Sequence, residues 1–161
     1  MKNNNFYRIV CLLFIFLIST NSYPQEKLTF NEEIIGEWEG QGSLMGNKAS
    51  FSMNWKSTLN DKFLKLTFQN QFTDKSGVKR ILKANGYYNL KTLKGYWFDS
   101  RGMMLPLRLE TTDNSMIVFW GDESTEKGKT IYTLDGKRVN VEDFFLKNDK
   151  YIPFGNASYV K

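Results

Sequence analysis

The sequence has almost none of the side chains that most often carry out catalysis or bind metals. Its 161 residues include no histidine and a single cysteine, Cys11. Residues 23–161 therefore cannot contain a Ser-His-Asp triad, an internal disulfide, or a zinc or haem site that depends on histidine or cysteine. We expect no metal and no cofactor, and a domain held together by its hydrophobic core alone.

The first 22 residues have the pattern of a cleaved secretory signal peptide. Lys2 and Arg8 give a cationic start, an apolar run covers residues 9–18, and Thr20 and Ser22 supply small side chains before the expected cut. Ten apolar residues are too few to span a bilayer, which needs roughly 20. The sequence therefore predicts an exported protein, periplasmic or extracellular, with no transmembrane segment in its mature chain; an uncleaved anchor is the alternative.

The mature chain, residues 23–161, has the length of one domain. Loss of Lys2 and Arg8 with the signal peptide would leave 20 basic and 17 acidic residues, a net charge of +3. The basic residues are scattered singly and form no stripe, so we expect no binding to nucleic acid. The many asparagines and lysines are typical of an AT-rich bacterial genome.

Short segments rich in aromatic and β-branched residues alternate with turn residues, which indicates an all-β protein. Residues 49–55 show the two-residue period of a strand, with Phe51 and Trp55 among the apolar residues on one face. The turn signals, of which Asp135-Gly136 is the sharpest, delimit about ten strands joined by short connections.

Ten consecutive antiparallel strands predict a closed up-and-down β-barrel over residues 34–161, because an open sheet of that size would expose its edges. A two-sheet sandwich is the alternative, but sandwiches need longer crossings than this chain offers outside residues 121–128. We expect residues 23–33 to form a short amino-terminal segment that could be helical. A barrel without edges gives no reason for strand-mediated dimers, so we expect a monomer.

Two motifs in order carry a family resemblance. The first is Gly36-Glu37-Trp38 on the first strand, and the second runs over residues 86–100, from Gly-Tyr to Trp-Phe-Asp-Ser. The chain resembles a family of uncharacterised bacterial lipocalin-like proteins of the calycin superfamily, which includes lipocalins, fatty-acid-binding proteins and ten-stranded nitrobindin-like barrels. Nitrobindin-like relatives hold haem through a histidine, so that activity does not transfer to this chain.

The resemblance implies a structural role for Trp38, which would close one end of the barrel. In lipocalins a basic side chain from a late strand covers this ring, and Arg138 and Lys161 are the candidates here. Gly36 and Gly40, which flank the tryptophan, suit a bent strand better than a binding wall.

A barrel of ten strands is wide enough to keep an interior cavity, and five residues are candidate ligand contacts. Trp97 and Asp99 share one strand face. If that face looks inward, the pKa of Asp99 would rise and its carboxyl could bind a ligand or act as an acid or base. We favour the other interpretation, in which Asp99 looks outward and starts a turn. Tyr132 is a third candidate, and Arg108 and Arg138, if inward, could pair with a fatty-acid-like carboxylate.

The first hypothesis is a non-catalytic barrel that binds a small hydrophobic or amphipathic molecule, and no residue is predicted to be catalytic. One alternative is a hydrolase, isomerase or lyase that uses a carboxylate and a tyrosine at the barrel mouth. The other is a cell-envelope interaction module with a filled barrel, which a large apolar outer patch would favour.

Overall fold

The computed structural model of the chain describes residues 30–161. The predicted signal peptide, residues 1–22, lies outside the described residues, as does most of the segment 23–33. Within the described part, one helical turn precedes ten strands. The elements are α1 (Phe30–Glu33), β1 (Gly36–Leu44), β2 (Asn47–Thr58), β3 (Phe63–Thr73), β4 (Lys79–Asn89), β5 (Lys94–Asp99), β6 (Met104–Thr111), β7 (Ser115–Trp120), β8 (Gly128–Asp135), β9 (Arg138–Lys147) and β10 (Lys150–Val160).

The ten strands form a closed antiparallel barrel. Each strand pairs with its neighbours in sequence, and β1 also pairs with β10, where Glu39 faces Val160 and Leu44 faces Gly155. Every described strand therefore has two partners and presents no free edge. The predicted up-and-down barrel of about ten strands is confirmed, and the two-sheet sandwich is excluded.

The apolar positions of each strand point inward with a period of two. On β2, the predicted inward set of Ala49, Phe51, Met53 and Trp55 is buried, while the residues between them are only partly covered. The same alternation places Leu64 and Leu66 of β3 in the core. The sequence pattern therefore assigned the faces of these strands correctly.

Two glycines of β1 permit its close contact with β10. A Cβ atom built on Gly42 would lie 1.9 Å from the carbonyl oxygen of Asn156, and one on Gly40 would lie 2.6 Å from the ring of Tyr159. Both distances are far below van der Waals contact, so any larger residue would push the strands apart. The glycines are needed where the barrel closes on itself.

The sharpest predicted turn lies one residue further along than the sequence indicated. Asp135 still belongs to the ladder and pairs with Arg138, so Gly136 and Lys137 are the two central residues of the turn. Only Gly136 has positive φ, at 59°, which is the pattern of a type II′ turn; the type I′ turn that Asp-Gly usually forms would need positive φ at both central residues. Asparagine and aspartate do supply the paired positive φ angles of a type I′ turn at Asn148-Asp149.

One end of the barrel is closed by α1 and Trp38. The indole is 2% exposed, and its Nε1 donates a hydrogen bond to the carbonyl oxygen of Ile34 at 2.7 Å. Lys161 covers the ring, with Nζ 4.6 Å from its centroid, and donates to the carbonyl oxygen of Glu33. Of the two late basic candidates, Lys161 is therefore the one that lies over Trp38, whereas Arg138 is exposed in β9.

Candidate ligand cavity

The interior of the barrel is not filled at the other end. A cavity of about 290 Å³ extends from the middle of the barrel to the mouth, where the β1–β2, β5–β6 and β7–β8 connections contribute Met45, Arg101 and Glu126 to its wall. Most of the wall is aromatic or aliphatic. The barrel thus has a closed end packed around Trp38 and an open end with room for a small molecule.

Aromatic rings form most of the wall near the mouth. The rings of Phe145 and Phe154 are stacked with centroids 4.0 Å apart, and Trp120 meets both edge-on at 5.8 and 6.4 Å. Phe68 and Trp97, from β3 and β5, form a second group with centroids 5.7 Å apart. All five residues are only partly buried, because they face the cavity, although all but Phe145 also pack against the buried core.

One carboxylate, Asp143 of β9, lies inside this apolar wall. Thr130 donates a hydrogen bond to its Oδ1 at 2.6 Å, and Nε1 of Trp120 in turn lies 3.3 Å from the Thr130 hydroxyl. Gly155 of β10 packs closely beside the carboxylate, since a Cβ atom built there would lie 3.1 Å from Oδ2 and 3.2 Å from Cδ1 of Leu44. Asp143 keeps some accessible surface because it faces the cavity, but surrounding protein removes it from bulk water and raises its pKa to about 6.

Three tyrosines add hydroxyl groups to the polar part of the cavity wall, which also includes the buried Asn70. Tyr88, Tyr132 and Tyr159 are buried, and the hydroxyls of Tyr88 and Tyr132 are hydrogen-bonded to each other. Burial raises the pKa of all three phenols, and the carboxylate of Asp143 raises those of Tyr132 and Tyr159 further. At neutral pH the tyrosines are therefore uncharged hydroxyl groups beside a carboxylate.

An ion-pair cluster lies at the rim of the mouth. The Arg101 guanidinium donates to Asp99 Oδ2 and to Glu126 Oε1, both at 2.7 Å, so it links the β5–β6 connection to the β7–β8 connection. Nε1 of Trp97 also donates to Asp99, at 3.2 Å. Burial by itself would raise the pKa of Asp99, but the hydrogen bonds from Arg101 and Trp97 outweigh it and lower that pKa.

Two of the five candidate ligand contacts, Trp97 and Tyr132, line the cavity. Asp99 does start a turn, because it accepts a hydrogen bond from the backbone N–H of Arg101. Its side chain is nevertheless 0% exposed, so the expected outward position is wrong. The raised pKa expected for an inward Asp99 is also wrong, because Arg101 compensates its charge.

The two other arginine candidates lie outside the barrel. Arg108 is 58% exposed, pairs with Glu110 at 2.6 Å and lies over the ring of Phe119. Its neighbours Leu107 and Leu109 occupy the inward positions of β6, which forces Arg108 outward. Arg138 is exposed for the same reason, since the inward positions of β9 have the opposite parity. Neither arginine can pair with a carboxylate inside the cavity.

Sequence reasoning did not single out Asp143 from the other carboxylates that lie outside obvious turns, although a signal for it was present. Val139, Val141 and Phe145 are apolar at every second position of β9, and Asp143 continues that inward series. The aromatic residues Trp120 and Phe154 were likewise not predicted to line a cavity. Their role depends on which end of the barrel is filled, and strand periodicity does not contain that information.

No protein-family model matches this chain, and no curated protein sequence matches it significantly. The ten-stranded barrel is compatible with a calycin-like fold. Over residues 30–161, no group of three His, Cys, Asp or Glu side chains is arranged to hold a metal ion. Among the same residues, no helix is long and apolar enough to cross a lipid bilayer.

Proposed function

We propose that this protein is an exported, monomeric lipocalin-like barrel that binds one small hydrophobic or amphipathic molecule in its interior. The observation that supports this proposal most strongly is the aromatic cavity that opens at one end of the barrel. Apolar walls with a few convergent polar groups are the usual composition of small-molecule sites. The proposed ligand would lie between Trp97, Trp120 and Phe154, with its polar group near Asp143.

The size of the cavity restricts the ligand. Its 290 Å³ lies at the lower limit of the roughly 300–1,000 Å³ of typical ligand pockets. A compact molecule of one or two rings, or a short chain, fits this space. The same space argues against the interaction module with a filled barrel, although Tyr96, Phe98 and Met104 are exposed on the outer surface.

An enzymatic function is the second candidate, and Asp143 is the observation that favours it. A carboxyl with a pKa of about 6 beside neutral tyrosine hydroxyls can both accept and donate a proton near neutral pH. The carboxyl in this arrangement is Asp143 and not Asp99, because Arg101 pairs with Asp99 at 2.7 Å and lowers its pKa. Mass spectrometry of the bound molecule over time tests this function. A product that accumulates would support an enzyme, and an unchanged molecule would support a binding protein.

Native mass spectrometry of the secreted protein tests the binding function. The full chain would be expressed in a secreting bacterial host, and co-purifying molecules would be extracted and identified. We expect a discrete bound species. An intact mass equal to that of a chain starting at Tyr23 would support cleavage of the signal peptide and export. A protein that carries nothing, and that takes up no member of a panel of small amphipathic molecules, would contradict the binding function.

A matched pair of variants shows whether a bound species occupies the cavity. Leu82→Trp adds an indole at a cavity-lining position near the mouth, whereas Ile81→Trp adds the same group at the neighbouring exposed position. We expect L82W to lose the bound species and I81W to retain it, with both variants folded by circular dichroism. Equal retention by the two folded variants would place the ligand outside the barrel.

A further inference from the structure

We infer that the cavity is a site for an amphipathic amine, whose ammonium group lies against Asp143 while its apolar body lies against the aromatic wall. This inference rests on the proposed binding function and specifies the chemical class of the ligand. It differs from the fatty-acid-like carboxylate that inward arginines could have paired with, because Arg108 and Arg138 lie outside the barrel and Asp143 lies inside it.

The carboxylate of Asp143 has unused capacity to accept hydrogen bonds. Its one hydrogen bond within residues 30–161 comes from Thr130 to Oδ1, whereas a carboxylate can accept about four. None of the described residues donates a hydrogen bond to Oδ2, and the side chain of Asp143 lines the cavity. An ammonium group has three donors and a positive charge, so it would satisfy this carboxylate better than a hydroxyl group would.

The charge of the cavity wall excludes an anionic ligand and favours a cation. Arg101 is the only basic side chain among the described residues that line the cavity, and both Asp99 and Glu126 bind it at 2.7 Å. This cluster carries one more negative than positive charge before Asp143 is counted. A carboxylate ligand would find no available cation in the described wall, and it would be repelled by Asp143.

Aromatic faces close to the carboxylate add to the preference for a cation. Trp120 is linked to Asp143 through the hydroxyl of Thr130, and its ring packs against Phe145 and Phe154. A cation held near Asp143 would therefore lie among several ring systems. Aromatic rings attract ammonium groups, and tryptophan does so most strongly.

The preference should depend on pH in a defined direction. A pKa of about 6 leaves Asp143 roughly 90% ionised at pH 7 and about 10% ionised at pH 5. Tyr132 of β8, Tyr159 of β10 and Tyr88 of β4 face the cavity as neutral groups, and Arg101 stays charged because its pKa is raised by Asp99. Amine affinity should therefore fall as Asp143 becomes protonated.

Calorimetric titration with ligands of the same shape and different charge tests the inference. The full-length protein, freed of co-purified molecules, would be titrated with tryptamine, tryptophol and indole-3-propionate, and then with decylamine, decanol and decanoate. We expect the amine to bind most tightly in each set that binds, and the anion to bind least. We also expect amine affinity to fall about tenfold from pH 7 to pH 5, while alcohol affinity stays constant.

Asp143→Asn and Glu142→Gln separate the local effect of the carboxylate from a general effect of charge. The D143N substitution keeps the shape of the side chain without its charge, and Glu142 is the exposed neighbour on the same strand. We expect D143N to weaken amine binding by about 10- to 100-fold and to leave alcohol binding unchanged, and E142Q to have no effect.

The possible outcomes distinguish the two proposals. If the alcohol or the anion binds as tightly as the amine, or if D143N binds the amine as well as the wild type does, the amine inference is overturned and the binding function stands. If no ligand in either set binds and the purified protein carries no small molecule, the binding function fails and the inference fails with it.

Discussion

The two ends of the barrel use the same residue types in opposite ways. At the closed end, Trp38 is 2% exposed, with its N–H bonded to Ile34 and Lys161 over its ring. At the open end, Trp97 and Trp120 are only partly buried and face a space of about 290 Å³. Identical indoles thus complete a packed plug at one end and line a cavity at the other.

The polar groups around Trp38 also differ from the carboxylate in the cavity, although the buried indole N–H of Trp55, which pairs with Gly36, has no partner among the described residues. The indole N–H of Trp38 and the amine of Lys161 both have partners at the closed end, so each contributes to stability. At the open end, Asp143 is ionisable, shielded from water and held by a single hydrogen bond, which costs stability when it is charged. Carboxyl groups with a perturbed pKa are concentrated at functional sites, which supports the proposed binding site.

The largest change in stability should come from a substitution of Trp38 at the closed end. Trp38→Ala removes a buried indole and its hydrogen bond, so we expect a loss of about 3–5 kcal/mol in the free energy of unfolding, measured by urea denaturation. Trp97→Ala removes the same group from a cavity wall, where it is only partly buried, and should cost less than about 2 kcal/mol. Equal losses for the two variants would contradict the contrast between the ends.

The sequence predicted the barrel well because strand faces follow a local rule. The alternation of Phe51, Met53 and Trp55 is visible within one strand, and ten such strands in sequence favour closure, which leaves no exposed edge. The cavity could not be predicted in this way, since its volume depends on how side chains from many strands fill the interior. The position of Asp143 was accessible from strand parity, but its single hydrogen bond and raised pKa depend on β8, β10 and the cavity.

Asp99 and Asp143 differ in pKa because their neighbours differ, and the two residues alone do not predict that difference. Both are aspartates that follow apolar residues at alternate positions, and both are shielded from bulk water. Arg101, two positions beyond Asp99, compensates its charge and lowers its pKa, whereas no basic side chain bonds Asp143 within the described chain. The presence of Arg101 in the adjacent turn therefore explains why Asp99 is paired with a positive charge and Asp143 is not.

The next largest change in stability should come from Asp143 at the open end, and it should depend on pH. The folded-state pKa of Asp143 is raised from 3.8 to about 6, so its protonated form fits the fold and stability is lost as the pH rises from about 4 through 6. Asp143→Asn should therefore raise the free energy of unfolding of the ligand-free protein by up to about 3 kcal/mol at pH 7.5, and by little near pH 4. Thermal unfolding at both pH values measures this difference.

The exposed neighbour on β9 supplies the control for that measurement. Glu142→Gln removes a charge from the outer face and should change stability by less than about 0.5 kcal/mol at either pH. A D143N variant that is no more stable than the wild type at pH 7.5 would show that Asp143 is not destabilising when charged.

The smallest change in stability should come from a substitution of Lys161 at the closed end. Lys161→Met keeps most of the aliphatic chain of Lys161 but removes the ammonium group over Trp38 and its hydrogen bond to the carbonyl oxygen of Glu33. We expect a loss of about 1 kcal/mol in the free energy of unfolding, because an exposed cation–π contact and one hydrogen bond are each worth that order of energy. Lys150→Met, in the hairpin at the open end, is the matched control and should change stability little. If the two variants lose the same stability, the ammonium group of Lys161 contributes nothing to the plug, and the closed end is held by Trp38 and α1 alone.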